Sequence, residues 1–332
     1  MVRPFGLRDV TAIRQLQPLG VAFDLRRLLL RSLSPVSAAL LDYVTHHRFG
    51  AITCVQPETN SSQRRGFVQA VPRANGMAWD LVFLSPSLEF HPDAAHVWHS
   101  LLHHLALYGT ERAVQRIYAR SAEDAEAEDV LRHVGFTSVT REEVFVLAQQ
   151  PGPAPVPRGM RRVEPQDSWA LDQLHRHVVP PQVQQSEGLH QRWCGRSAKR
   201  RIGAHPTDEF VWADRGNIVA YLGLCSSPRG YWLDVVVSPD HRADLLPYIR
   251  SILMLAQCSH YAPVYCNVPD YAVGLGWLLR TVGFETYARQ IVMVRHTVAR
   301  VPVRRPIMLP ALEQRVDVGT PVGHVSIENR AP

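Results

Sequence analysis

Residues 235–253 read VVVSPDHRADLLPYIRSIL and combine an apolar strand, a turn that carries one arginine, and the start of a helix. Backbone N–H groups at a helix N-terminus lack partners within the helix and carry partial positive charge, so this layout suits a bound phosphate. Phosphate-binding turns normally also contain glycines, which let the backbone approach the ligand closely, whereas this turn contains none. The residue types therefore indicate an anion site with Arg242 as its cationic group and with restricted backbone access.

The elements around this segment occur twice along the chain. AWDLVFLSPS at 78–87 matches YWLDVVVSPD at 231–240, and VLRHVGF in the first half matches LLRTVGF in the second. Each copy also opens with an acidic residue, Asp9 or Asp167, at the predicted start of a first helix. Agreement in order and spacing indicates an internal repeat. The order of strands and helices predicts the α/β (α+β) class, with two tandem domains that each hold a mixed central sheet flanked by helices.

The composition of the chain changes where the two copies meet and where the second one ends. QQPGPAPVPRGM is rich in proline and glycine, as a semi-rigid linker would be, and the residues after His296 are punctuated by proline without a regular period. We expect an N-terminal domain at 1–148, a Pro/Gly linker at 149–160, a C-terminal domain at 161–297 and a Pro-rich tail at 298–332.

Composition also limits the class of protein to which the chain can belong. The hydrophobic fraction of 46% and the charged fraction of 20% are ordinary for a globular protein with a sizeable core. The five cysteines form no CxxC pair, which argues against a zinc knuckle or a disulfide framework. No apolar run has the length of a transmembrane helix and the N-terminus lacks a signal-peptide pattern, so we expect a cytoplasmic protein.

The formal net charge of +6 is carried by arginine, because Lys199 is the only lysine. An arginine excess suits anionic ligands, including phosphorylated co-substrates and nucleic acid, and it equally fits a solvated surface without a partner. The densest basic run, RSAKRR at 196–201, has no accompanying aromatic or Gly-rich RNA-binding pattern. A solvated loop is therefore favoured over a nucleic-acid site for this run.

The succession V-x-x-x-P, arginine, helix, LL-R-x-V-G-F and last strand resembles the GNAT superfamily of acyl-CoA N-acyltransferases. The resemblance covers residues 1–147 once and about 160–297 again. It implies an enzyme that moves an acyl group, most simply acetyl, from acyl-CoA to a small-molecule amine without a metal ion, as a monomer or homodimer. A second class fits the same residues: a catalytically inactive GNAT-fold protein that binds a ligand or a partner.

The resemblance assigns the acyl-CoA to the second copy, where the strand at 235–237 would bond the pantetheine arm and the following turn would wrap the pyrophosphate. The residues so assigned are Val235, Val236, Val237, Arg242, Ala243, Asp244, Leu245, Leu246, Pro247 and Tyr248. Leu245 and Pro247 stand where the family has glycine, and Pro247 has no N–H to donate. Asp244 adds a negative charge beside the expected phosphates. We therefore expect a cradle that Leu245 crowds and that binds phosphate weakly.

The equivalent turn of the first copy, within SPSLEFHPDAAHVWHSLL, contains neither glycine nor arginine. It carries Glu89, His91 and Asp93 instead, and two of these side chains are acidic. We expect that the first copy does not hold CoA in the family's manner.

The same resemblance suggests which groups take part in catalysis. A carboxylate on the central strands often serves the family as general base toward the amine, and Asp234 is the candidate here, with Asp80 as its approximate counterpart in the first copy. The alternative for Asp234 is a structural role as a cap or an ion-pair partner. The tyrosine that often protonates the departing thiolate is leucine in both copies, so Tyr271 or Tyr265 would have to supply a phenol from another position.

Two further patterns have two interpretations each. His96, His99 and His103 share one face of the helix HVWHSLLHHLALYG, which is conceivable for a metal site. The favoured alternative is a solvated face, with Val97, Leu101, Leu102 and Leu105 packed on the sheet. VVPPQVQQSEG at 178–188 falls where the family has a substrate-shaping loop, and it equally fits a rigid turn.

Overall fold

Helices and strands follow one another in the order that the repeat predicts. The computed structural model describes residues 2–30, 34–46, 49–57, 65–73, 76–149, 152, 154–187, 207–259 and 262–297, all within one compact unit. The basic run at 196–201 and the tail at 298–332 lie outside the described residues. Within the described ranges, no helix is both long enough and apolar enough to cross a membrane.

The first repeat supplies the strands β1 (Arg3–Pro4), β2 (Val21–Ala22), β3 (Ile52–Gln56), β4 (Gly66–Pro72), β5 (Ala78–Ser85), β6 (Arg116–Ala122) and β7 (Thr137–Leu147). Its helices are α1 (Val10–Leu16), α2 (Leu25–Leu30), α3 (Pro35–Val44), α4 (Ala94–Thr110) and α5 (Ala125–His133). The second repeat supplies the strands β8 (Met160–Arg162), β9 (Thr207–Asp214), β10 (Asn217–Ser227), β11 (Gly230–Val237), β12 (Val264–Pro269) and β13 (Glu285–His296). Its helices are α6 (Ser168–Val178), α7 (Pro181–Glu187), α8 (Leu246–Ser259) and α9 (Leu275–Val282).

The acidic residue that opens each repeat makes the same contacts in both copies. Asp9 precedes α1 and accepts two hydrogen bonds from Arg3, at 2.6 and 2.7 Å. Asp167 precedes α6 and accepts two from Arg161, at 2.6 and 2.7 Å. Each carboxylate also accepts a backbone N–H three residues upstream, which fixes the entry into the helix. The prediction that these acids open the first helices is confirmed, and their matching contacts support the repeat.

Local sequence explains where other elements begin and turn. Ser34 accepts a hydrogen bond from the backbone N–H of Ser37 and so caps α3, with Pro35 in the first turn, where its missing N–H is not needed. Arg215 and Gly216 join β9 to β10 and both have positive φ, as a two-residue hairpin turn with the twist of the flanking strands requires.

All thirteen strands of the described residues join one continuous sheet. The order is β1-β3-β4-β5-β6-β13-β7-β12-β11-β10-β9-β8, with β2 paired to β5. This order is symmetric: each half holds the earlier strands of one repeat and the last strand of the other. The two repeats therefore exchange their last strands, β7 and β13, and the predicted class of two tandem mixed sheets with flanking helices is confirmed.

The exchanged strands meet at a buried polar pair near the centre of the sheet. β7 and β13 run antiparallel, and Glu142 stands opposite Gln290. These two residues hold the same position in the two copies, two residues before a buried apolar pair, and the amide of Gln290 donates to the Glu142 carboxylate at 2.7 Å. An approximate two-fold axis therefore passes close to this pair. The domain boundaries predicted at residues 148 and 161 stay a prediction. They divide the chain between the two repeats, whereas each half of the sheet contains strands from both repeats.

The helices α4, α5, α8 and α9 cover one face of the sheet and form its two main cores. The apolar stripe of α4 is buried on the first half of the sheet, which confirms the sequence prediction for Val97, Leu101, Leu102 and Leu105. The second half is covered in the same way by residues of α8 and α9, among them Ile249, Leu253 and Leu279. Because both cores are built alike, the opposite face is where the two halves differ most.

On that opposite face, two short helices reach from one repeat to the other half of the sheet. Leu30 of α2 packs with Trp232 and Cys225 of the second repeat. In the reverse direction, the hydroxyl of Tyr118 in the first repeat donates to the carbonyl of Ser186 in α7. Helix α7 occupies most of the segment 178–188, for which the sequence left a rigid turn and a pocket-lining loop open. Helix α2 was not predicted.

Candidate functional site

The parallel strands β11 and β12 separate partway along their length. Within the described residues their pairing joins 231–233 to 264–266, whereas β11 continues to Val237 and β12 to Pro269. Strand β11 stays paired with its other neighbour, β10, as far as Val237. A cleft therefore opens between β11 and β12, and Asp234 is the first residue of β11 beyond the paired segment.

An arginine from the other repeat holds Asp234 at this opening. The Nη1 of Arg26, on α2, donates to both carboxylate oxygens at 3.1 and 3.2 Å. The guanidinium lies 5.4 Å from the ring centroid of Trp232. Burial alone would lower the pKa of Arg26, but the charge of Asp234 raises it above its ordinary value. The ion pair that the sequence analysis kept as an alternative for Asp234 is present, and it lies where the two strands begin to separate.

Aromatic side chains surround this ion pair. Trp232 and Tyr265 face each other across β11 and β12 with ring centroids 6.4 Å apart, and Tyr287 meets Tyr265 edge-on at 5.5 Å. Burial, and then the neighbouring Tyr287, raise the pKa of Tyr265, so its phenol stays protonated at neutral pH. The opening therefore combines one ion pair with an aromatic wall formed by Trp232, Tyr265 and Tyr287.

The turn between β11 and α8 consists of two successive 3₁₀ turns, at Pro239–His241 and Ala243–Leu245. Three of its amides donate to the carbonyl three residues earlier in the chain. The amide of His241 donates to Ser238, that of Arg242 to Pro239 and that of Leu245 to Arg242. These three N–H groups are used within the turn itself. They are consequently not directed at a ligand, as the amides of a glycine-rich phosphate loop are.

The side chains of this turn differ from the sequence expectation at one position. Leu245 was expected to crowd the phosphate, but it is fully buried in the core of the second half of the sheet, with 0% exposure. Asp244 and Pro247 are exposed at the start of α8, where they were expected. Tyr248 stacks on Trp212 at 4.2 Å between ring centroids. Leu245 therefore anchors the turn to the core, and its side chain does not obstruct the cleft.

Arg242 spans the mouth of the cleft. Its Nη1 donates at 2.7 Å to the carbonyl of Val273, in the loop that follows β12. Its Nε is buried and has no hydrogen-bond partner among the described residues, an arrangement that costs about 1–3 kcal/mol for a polar group. Tyr271 lies half-buried in the same loop, close in sequence to Val273.

The corresponding strands of the first repeat, β5 and β6, also separate, because their described pairing covers only 78–80 of β5. The end of β5 is sealed, however. Trp98 of α4 is buried and donates from Nε1 to the carbonyl of Pro86 at 2.6 Å, with Phe23 packed edge-on against its ring. In the repeat, Ile249 holds the position of Trp98. The indole of Trp98 therefore fills the space that corresponds to the smaller Ile249 side chain of the second repeat.

A groove of about 710 Å³ follows α4 and α5 on the outside of the first repeat. It is lined by Ala95, His96, His99, Glu126, Asp129, Val130 and His133. In the part of the chain that the structure describes, no group of three or more His, Cys, Asp or Glu side chains is placed to hold a metal ion. Two carboxylates in this groove oppose a phosphate. The first repeat is thus less suited than the second to a phosphorylated ligand.

Asp80 of the first repeat belongs to a network of partly buried charges. Arg73 donates to it at 2.6 and 2.9 Å, and Arg120 lies between Asp80 at 3.7 Å and Glu142 at 3.3 Å. Burial alone would raise the pKa of Asp80, but Arg73 and then Arg120 hold it below its usual range. This carboxylate is fully committed to two arginines.

Asp80 is not the structural counterpart of Asp234. In the parallel strand pairs, Asp80 stands opposite Tyr118. Tyr265 is the equivalent of Tyr118 in the second repeat, and it stands opposite Trp232. Asp80 therefore corresponds in position to Trp232. A bulge in β5 adds a residue to that strand and shifts the sequence match. The carboxylate at the opening of β11 and β12 therefore has no equivalent at the same position of the first copy.

Comparisons with known proteins agree with this architecture. No protein-family model and no curated protein matches the chain in sequence. Among solved structures, a GCN5-related N-acetyltransferase from Sphaerobacter thermophilus matches with a TM-score of 0.55 and 16% identity, over 90% of this chain and 95% of that one. A tandem GNAT protein from the clavulanic acid biosynthesis pathway matches with a TM-score of 0.53 and 15% identity, over 90% and 98%. The chain therefore has the GNAT fold twice in tandem.

The sequence located the strand, the turn and Arg242, but it did not indicate Arg26. Arg26 lies far from Asp234 along the chain and reaches it only because α2 crosses to the other half of the sheet. The run LRRLLL at 25–30 was a signal for a short helix with two arginines. Nothing in its spacing indicates that it packs on the second repeat.

Proposed function

We propose that the protein is an N-acyltransferase that moves an acyl group, most simply acetyl, from acyl-CoA to a small amine in the cleft between β11 and β12. The observation that carries this proposal is the separation of the two parallel strands directly before Asp234. Backbone groups of β11 beyond that point border the cleft and can bond an extended pantetheine arm, as the resemblance to GNAT enzymes implies for residues 235–237. The GNAT fold of the chain supports the same reading.

The reaction requires little beyond positioning. The amine nitrogen attacks the thioester carbonyl, a C–N bond forms, the C–S bond breaks, and CoA leaves as the thiolate. The proton of the attacking amine passes to Asp234, directly or through water, and the thiolate takes a proton from Tyr271 or from water. Correct positioning of the two reactants is worth about 7–11 kcal/mol, whereas a general acid or base contributes about 10²–10⁴-fold. Loss of the family's usual tyrosine is therefore compatible with activity.

Arg242 and the start of α8 supply the binding of the pyrophosphate in this proposal. The guanidinium charge of Arg242 and the partial positive charge at the N-terminus of α8 both favour an anion at the mouth. The exposed carboxylate of Asp244 opposes it. We expect an affinity for acetyl-CoA that depends strongly on Arg242, because three amides of the turn are already bonded within it.

A second function has an observation in its favour. The amides of His241, Arg242 and Leu245 are bonded within the turn, so a GNAT-fold protein that has lost the co-substrate and binds another ligand would look the same there. Such a protein would bind neither acetyl-CoA nor CoA. The two functions therefore differ in a single measurement.

That measurement is calorimetric titration and thermal unfolding with acetyl-CoA. The acyltransferase proposal predicts binding and a rise in Tm, because a ligand that binds the native state stabilises it. Arg242→Ala should weaken binding roughly 10- to 100-fold, the range for loss of a hydrogen bond to a charged group. Arg250→Ala, at an exposed arginine of the same helix, is the control and should bind like the wild type. Absence of binding at millimolar acetyl-CoA would leave the second function.

A further inference from the structure

The Arg26–Asp234 pair differs in geometry from the two arginine–aspartate pairs that open the repeats, Arg3–Asp9 and Arg161–Asp167. Arg3 and Asp9 form a two-nitrogen fork with distances of 2.6 and 2.7 Å, the arrangement in which guanidinium and carboxylate satisfy each other. Arg26 instead contacts Asp234 through Nη1 alone, at 3.1 and 3.2 Å. These distances exceed the 2.7–2.9 Å typical of a strong charge-assisted bond. The pair at the cleft is therefore looser and one-sided.

The one-sided contact leaves the other edge of the guanidinium for a ligand. Guanidinium has five N–H donors in a fork that matches a carboxylate. Among the described residues, Arg26 contacts the Asp234 carboxylate, the Cys225 thiol and the face of Trp232, and its side chain is 38% exposed. The Asp234 side chain is 26% exposed beside it. A positive group with spare donors and a negative group thus stand next to each other at the opening of the cleft.

We infer that the acceptor amine carries a carboxylate next to its amino group, as an α-amino acid does. The acceptor's carboxylate binds the open edge of Arg26, and its amino group lies toward Asp234 and the thioester. The aromatic wall of Trp232, Tyr265 and Tyr287 borders the remainder of the acceptor. This inference rests on the proposed function and names the class of its acceptor substrate.

The charge of Arg26 favours this acceptor over a plain cationic amine. An amine without a carboxylate would bring its positive charge close to the guanidinium of Arg26, and like charges that close repel each other. An acceptor of both signs instead meets a complementary charge at each end. Arg26 comes from the first repeat, so in this arrangement the first repeat contributes a binding side chain to the cleft of the second.

The experiment compares matched pairs of amines on the full-length chain. Tyrosine with tyramine, tryptophan with tryptamine, histidine with histamine, alanine with ethylamine and lysine with cadaverine differ only in the α-carboxylate. Binding is measured by thermal unfolding without acetyl-CoA, and transfer by release of the CoA thiol. We expect at least one amino acid to bind, and to react, roughly 10- to 100-fold better than its decarboxylated partner. Arg26→Gln should abolish that difference, and Arg26→Lys should restore part of it.

Arg162→Gln is the control variant, because Arg162 forms an exposed ion pair on the edge strand β8, away from the cleft. It should preserve the preference for the amino acid. Circular dichroism identifies a variant that fails to fold, and Arg26→Gln combined with Asp234→Asn removes both charges of the pair together. If every decarboxylated amine performs as well as its amino acid, or if the preference survives in Arg26→Gln, the inference is overturned. Acetyl-CoA binding without the preference would overturn the inference alone, whereas amino-acid binding without acetyl-CoA binding would overturn the proposed acyl transfer and leave an amino-acid site.

Discussion

Replacing Leu245 by glycine restores the residue that a GNAT phosphate loop has at this position, and the structure predicts that it harms the protein. From the sequence alone, Leu245→Gly should relieve crowding and improve binding of acetyl-CoA. In the structure, however, the Leu245 side chain points into the core and is 0% exposed. Its amide donates to the carbonyl of Arg242 and so holds the turn closed. The substitution should therefore cost stability without opening the site.

The expected loss follows from burial and backbone freedom. Truncating a fully buried leucine to alanine costs about 2–5 kcal/mol. Glycine adds about 1 kcal/mol relative to alanine, because it gains more conformational freedom in the unfolded chain. We expect Leu245→Gly to lower the free energy of unfolding by about 3–6 kcal/mol, a large part of the total stability of about 5–15 kcal/mol of a typical protein.

Urea unfolding followed by circular dichroism measures this loss, and calorimetric titration with acetyl-CoA measures the effect on binding. Ala243→Gly is the matched control, because Ala243 is exposed in the same turn and should change the free energy of unfolding by about 1 kcal/mol or less. A loss below about 1 kcal/mol for Leu245→Gly, or a tighter affinity for acetyl-CoA, would refute the assignment of Leu245 to the core.

Three other outcomes follow from the contacts. Burial alone would raise the pKa of Asp80, but Arg73 lowers it. The pair therefore stabilises the fold fully above roughly pH 4, and this stabilisation is lost as the pH falls through the lowered pKa. Asp80→Asn should make urea unfolding less dependent on acid pH, and an unchanged dependence would contradict this. Trp98→Phe loses the bond to Pro86 and should cost about 1–3 kcal/mol in the same assay, whereas an unchanged stability would show that the bond is unimportant. Residues 1–148 expressed alone lack β13 and should dimerise by exchange of β7, which light scattering would detect and a stable monomer would disprove.

The fold could be predicted from the sequence because its signals are local and occur twice. Hairpin residues such as Arg215 and Gly216, helix caps such as Ser34 and the apolar stripe of α4 each determine a short segment. The exchange of β7 and β13 could not be predicted in this way. Either strand fits either half of the sheet, because the two copies are alike, and the choice depends on long-range packing that sequence periodicity does not report.

The candidate site was predicted in outline and missed in detail for a related reason. Asp234 and Arg242 lie within one short segment whose motif is recognisable in the sequence. The direction of the Leu245 side chain depends on how a 3₁₀ turn enters α8, which residue types alone do not determine. Arg26 reaches the cleft through the crossing of α2, and such a contact between repeats leaves no pattern in the chain.

The central claim is that the cleft between β11 and β12 is the acyl-CoA site. Hydrogen exchange followed by mass spectrometry, with and without saturating acetyl-CoA, tests it directly, because a bound ligand slows the opening of the backbone that it contacts. We predict slower exchange at 234–248 and in the loop around Val273, with no change at 82–98 of the first repeat. Slower exchange at 82–98 instead, or no change anywhere in the chain, would contradict the claim.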